Sequence, residues 1–135
     1  MRGRFSSVIC VLSGVLLGSC TSEQEPKDPD GPWRALVERP CPEGNFLSWE
    51  NFGDPFFRNW CTGCHASTLP EDDRRDAPID VNFDSLDSVR GKLDHIWLLA
   101  ADGNRTMPPA GGPSHAEREL LGEWLACGAP SEDSH

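Results

Sequence analysis

Three residues stand close enough in the chain to act on one group: Cys61, Cys64 and His65, in the stretch NWCTGCHAS over 59–67. Two thiols three positions apart, with an imidazole directly after the second, suit three chemistries. They could add to the two vinyl groups of a porphyrin while the imidazole binds its iron. They could supply part of a zinc site, or the thiols could cycle as a redox dithiol.

Covalent haem attachment needs two thiols and one imidazole presented from the same side, and one helical turn carrying Cys61 and Cys64 with His65 beside it meets both demands. Zinc needs further ligands at comparable spacing. Cys41, Cys127, His95 and His115 are available, but none forms a second close pair. A thioredoxin-like dithiol calls for a strand–helix–strand setting that the pattern lacks. A chance match inside a disulfide-bonded domain is the remaining alternative.

A second signal lies at Arg105-Thr106-Met107-Pro108-Pro109. Met107 is the only methionine besides Met1. A solitary Met is usually core filler. This one sits instead in a Gly- and Pro-rich loop, with two prolines stiffening the backbone just after it, which suits a thioether held at one distance from an iron. His95 falls off the main apolar face of its segment, and His115 follows a helix cap; both read as surface residues.

Three helices must position these groups. The first is expected to start at Asp54-Pro55, a cap followed by Pro at the first helical position, and to run through FFRNW into the cysteine pair. The second follows Asp84 to about Ala101, with Leu86, Val89, Leu93, Ile96, Trp97 and Ala100 at helical spacing and Gly103 closing it. The third opens on a capping box at Ser114 and Glu117 and presents Leu120, Leu121, Trp124 and Leu125 as one apolar face. Gly128 and Pro130 end it. A short turn is expected near Trp33 to Val37, and no segment reads as a strand. Residues 66–83 and 104–113 remain as long connections. The first has no periodic pattern, and such a loop makes sense in a small domain when it wraps a large flat ligand.

The front of the chain reads as a leader. Residues 1–19 place Arg2 and Arg4 before an apolar run from about Val8 to Leu17, too short to span a bilayer. The run ends at Gly18-Ser19-Cys20, which resembles a bacterial lipoprotein signal: cleavage before Cys20 and lipidation of its thiol. Ordinary signal cleavage nearby would leave Cys20 a spare thiol. Residues 20–32, polar, acidic and Pro-rich, read as a disordered tether spanning on the order of 20 Å. The domain is assigned to 33–135. Loss of Arg2 and Arg4 with no acid takes the net charge from −10 to −12, which excludes nucleic acid and bare anionic lipid as partners of the domain and favours basic ones. The alternative is a solvated acidic surface that keeps an exported protein soluble. About a third of the mature chain is apolar, a composition that looks to a disulfide, a metal or a large cofactor for support.

CTGCH, a downstream loop with TMPP and then a capped helix together resemble class I cytochrome c, over roughly 52–130. The resemblance implies an all-α, small cytochrome c-like fold with three main helices and long loops wrapped around one covalent haem. It implies thioethers at Cys61 and Cys64, His65 as proximal and Met107 as distal iron ligand. It also implies a loop proline whose carbonyl accepts the N–H of His65, with Pro78 the better candidate and Pro70 the other. First and last helices would cross, bringing Phe56 and Phe57 onto Leu121 and Trp124. The chain has no Tyr, so any tyrosine role toward the propionates is vacant, with Trp97 or Arg105 as replacements. If those helices cross, Cys41 and Cys127 can meet in a disulfide. It would close a loop of 86 residues, worth up to about 4–5 kcal/mol on the chain-entropy model.

The function this implies is a membrane-tethered one-electron carrier, not an enzyme, exchanging electrons with exported or membrane redox proteins. The cell envelope is the expected location, and Thr21 after Cys20 favours the outer membrane. A gas sensor with a displaceable Met107, and a haem-free structural lipoprotein with two disulfides, are the alternatives.

Overall fold

A computed structural model describes residues 33–134. The expected leader, the expected lipidation at Cys20 and the expected tether lie outside the described residues. Four α-helices, and no strand among the described residues, make an all-α architecture: α1 Asp54–Trp60, α2 Leu86–Arg90, α3 Leu93–Ala100 and α4 His115–Ala126. No helix of the described residues is long and apolar enough to cross a membrane.

The helical run around α1 begins earlier than expected. Ser48, not Asp54, is the cap: its hydroxyl accepts the Asn51 amide at 3.1 Å, while the Asn51 side chain accepts the Ser48 amide at 2.8 Å. One wide turn over Trp49–Gly53 then leads into α1. Pro55 has no N–H to give to the turn before it, so the wide turn passes into the α-helix there without an orphaned donor. Asp54 is left to pair with Arg58, whose Nε stands 2.7 Å from Oδ1.

The expected second helix is two. Ser85 caps α2 by accepting the Ser88 amide, and the chain breaks at Gly91-Lys92, where Lys92 has φ −140° and ψ 25°. Glycine weakens the helix at that point. Asp84 is not a cap; it accepts the Ser67 hydroxyl at 2.6 Å and the Ser67 amide at 3.1 Å, tying the long loop to the start of α2. The capping box of α4 stands as read, with Ser114 and Glu117 each accepting the other's backbone N–H. The turn near Trp33 narrows to Leu36–Glu38.

Aromatic side chains join the first helical run to the last. The Phe57 ring lies 6.1 Å from Trp124, and Trp124 also meets Trp49 and Phe52, each at 6.2 Å. Phe56 packs on Phe52 and Phe57 rather than directly on Trp124. The approach is close because Gly53 has no side chain; a Cβ there would sit 2.8 Å from the Trp124 ring. Trp124 is fully buried, and truncating it would cost about 3–5 kcal/mol.

A polar knot ties α3 to α4. Buried Asp102 accepts the Trp97 indole N–H at 2.7 Å and pairs with Arg39 at 3.1 Å. Its carboxylate lies against Gly122 of α4, where any side chain would collide with it. Cys41 and Cys127 form a disulfide, with S–S 2.01 Å and Cα atoms 4.8 Å apart, joining the segment before α1 to the end of α4.

Candidate functional site

α1 stops at Trp60, so the cysteine pair is not a continuation of the helix. It is a chain of tight turns hung on two carbonyls. Phe57 accepts the amides of Cys61 and Thr62, at 2.8 and 2.9 Å, and Cys61 accepts those of Cys64 and His65, at 3.1 and 2.9 Å. Both thiols are free and half-buried. Burial pushes the Cys61 thiol up to about 12; Cys64 adds to the rise and the positive charge of Arg118 opposes it. A redox dithiol works through a lowered thiolate pKa, the reverse of this environment. Among the described residues, no three His, Cys, Asp or Glu side chains come together as metal ligands.

His65 is held by its ring. Nδ1 lies 3.0 Å from the Val81 carbonyl, and the ring is 5.1 Å from that of Phe83. A carbonyl can only accept, so Nδ1 carries the proton and Nε2 keeps its lone pair for a metal. Burial is the main cause that lowers the His65 pKa; the bond to Val81 opposes it, and the charges of Arg74 and His95 reinforce it. The imidazole is therefore neutral at pH 7, as a ligand must be.

The acceptor is Val81, not Pro78 or Pro70. The Pro78 carbonyl is taken by the Val81 amide at 3.1 Å and by Arg74 Nη2 at 2.8 Å, and that of Pro70 by the Asp73 amide at 3.1 Å. The turn from Pro78 to Val81 swings the later carbonyl toward the imidazole. The resemblance implied a proline carbonyl; here the acceptor is the carbonyl three residues beyond Pro78.

Residues 66–83 are organised by Arg74, a side chain the sequence reading passed over. It is completely buried. Its guanidinium donates to the carbonyls of Ala66 at 2.6 Å, Ala77 at 3.2 Å, and Pro78 and Val81 at 2.8 Å each, and to the Asn82 side-chain oxygen at 2.9 Å. The loop thus has a cationic centre where an apolar core would otherwise be. Its only sequence signal, one arginine in EDDRRD, looks like any solvated charge.

Arg118 does the same for the Met107 loop. Nearly buried on α4, it donates through Nη1 to the carbonyls of Ala100 at 2.7 Å, Met107 at 2.9 Å and Asn104 at 3.1 Å. Burial lowers its pKa, with Arg105 adding. The Met107 amide donates to Leu99 at 2.8 Å. Met107 as a whole keeps 36% of its surface exposed. Arg118 therefore grips the Met107 backbone, and its charge is felt at Cys61.

No family model, curated protein or solved structure matches this chain.

The remaining candidates separate. The Trp97 indole N–H is committed to Asp102, which removes Trp97 from the groups available to a propionate. Arg105 is exposed and lines a cavity of about 470 Å³ with Pro108, His115 and Arg118. His115 faces Glu119 at 3.6 Å. His95 is exposed beside a cavity of about 500 Å³ that it shares with Val81 and Leu93. The donor set fits a haem: two free thiols, a neutral imidazole with Nε2 available, and a thioether in a loop pinned by its backbone.

Proposed function

We propose that this chain is a monohaem c-type cytochrome, an electron carrier and not an enzyme, with Cys61 and Cys64 as thioether attachments and His65 and Met107 as axial ligands. The observation that carries the reading is the bond from His65 Nδ1 to the Val81 carbonyl. It fixes the tautomer that leaves Nε2 unprotonated, on the residue directly after two unpaired thiols. Such an outer bond is what orients a metal-binding imidazole and raises its basicity.

When bound, the haem supplies a one-electron ferrous/ferric couple, and thioether ligation favours its reduced state. His65 and Met107 would both hold the iron, which would leave a substrate no place on it. Arg74 braces the loop whose Val81 carbonyl holds His65, and Arg118 braces the loop that carries Met107, which would limit movement of both ligands between redox states. Exported or membrane redox proteins are the partners proposed, and lipidation at Cys20 would hold the domain at the bacterial cell envelope.

The test is the visible spectrum of the dithionite-reduced protein before and after carbon monoxide. A sharp low-spin spectrum that the gas leaves unchanged, and that Met107→Ala makes gas-sensitive, is the expected result. An immediate shift in the parent protein would replace the carrier with a gas sensor whose Met107 is displaceable.

A further inference from the structure

The carbonyl that holds His65 is shared. Val81 O accepts His65 Nδ1 at 3.0 Å and Arg74 Nη2 at 2.8 Å. All five hydrogen-bond acceptors of Arg74 are uncharged, four carbonyls and one amide oxygen. A full positive charge therefore stands buried behind the imidazole, one oxygen away, with no carboxylate of the described residues in direct contact to neutralise it. Asp84 feels that charge from the loop surface but is itself tied to Ser67.

We infer that Arg74 is a positioning residue that weakens His65 as an electron donor and so raises the reduction potential of the site, an inference that rests on the haem reading above. Two donors compete for the electron density of one carbonyl oxygen, and the charged one takes the larger share. The Nδ1 proton of His65 is then drawn off less, and Nε2 is a poorer donor than it would be against an unshared carbonyl. The buried cation acts in the same direction, since it opposes the additional positive charge of the oxidised state. A chain that is strongly acidic overall thereby keeps one cation where it bears on the axial ligand. Asn82 completes the arrangement by accepting from the same Nη2 at 2.9 Å, from a half-buried position where a substitution can alter the charge without removing any Arg74 donor.

The experiment is a redox titration of the full chain, exported in a host with haem-attachment machinery, beside Arg74→Gln, Arg74→Lys and Asn82→Asp. Arg74→Gln and Asn82→Asp should each lower the potential by the equivalent of a tenfold change in the ferrous-to-ferric ratio, about 59 mV for one electron. Arg74→Lys, which keeps the charge, should stay within threefold of the parent. Should Arg74→Gln give no folded protein, Asn82→Asp decides alone. The inference is overturned if Asn82→Asp leaves the potential where it was with the spectrum still low-spin, or if Arg74→Lys shifts as far as Arg74→Gln. A coloured parent with unmoved variants overturns this inference only; a colourless parent overturns the haem reading and this inference with it.

Discussion

Replacing Arg118 by Met would remove the brace of the Met107 loop while keeping most of the side-chain volume. Its Nη1 carries two hydrogens, which three carbonyls share at 2.7, 2.9 and 3.1 Å. Two charge-assisted hydrogen bonds contribute roughly 1.5–3 kcal/mol each, and their loss leaves carbonyls that are poorly solvated in place. Relaxation of the loop toward water recovers part of this, so a net loss on the order of 3 kcal/mol is expected. With urea slopes of about 1–3 kcal/mol/M, the midpoint should fall by roughly 1–3 M at unchanged slope. The second readout is local. Because Arg118 holds the Met107 carbonyl itself, the reduced variant should bind carbon monoxide where the parent does not. Arg118→Lys should recover part of the stability. A midpoint within a few tenths of a molar of the parent, together with continued inertness to the gas, would refute the brace.

Other perturbations probe the scaffold. Gly122→Ala drives a methyl into the Asp102 carboxylate that holds Trp97 and Arg39, and should cost about 1–3 kcal/mol in thermal or urea unfolding. Replacing both Cys41 and Cys127 by Ser opens a linkage across 86 residues and should cost up to about 4–5 kcal/mol, measured by the same titrations. Acid should destabilise the domain in a defined window. The Ser67 hydroxyl holds Asp84 below its ordinary 3.8, and the Ser114 amide and hydroxyl hold Glu117 below its ordinary 4.5. Folded pKa values below unfolded ones mean that this stability is complete above about pH 4.5 and is lost as pH falls through the folded values. Asp84→Asn or Glu117→Gln should flatten the fall below about pH 4.5, followed by circular dichroism.

What could be read in advance was what is local. The box at Ser114 and Glu117 is one turn long and depends on its own residues, and it forms where expected. Asp54-Pro55 and Asp84 were plausible caps by type, but Ser48 and Ser85 hold the positions whose amides need an acceptor. The single helix expected through 84–101 ignored Gly91, where the chain turns. The all-α class was legible because apolar spacing decides it, whereas wrapping around a haem rests on the motif and the free donor atoms. Arg74 and Arg118 were not legible. Each is an ordinary charged residue in sequence, and only the folded loops show that its neighbours present carbonyls instead of water. The same reason hid Val81, whose role belongs to its backbone oxygen and leaves no trace in residue type.

A covalent haem on Cys61 and Cys64 is what the proposed carrier depends on. The direct measurement is the absorbance of the full chain after denaturation, produced with and without haem-attachment machinery, beside Cys61→Ala/Cys64→Ala. Haem absorbance that stays with the unfolded polypeptide, depends on the machinery and vanishes in the double variant is the predicted result. A colourless chain whose free thiols still titrate as two would contradict the account.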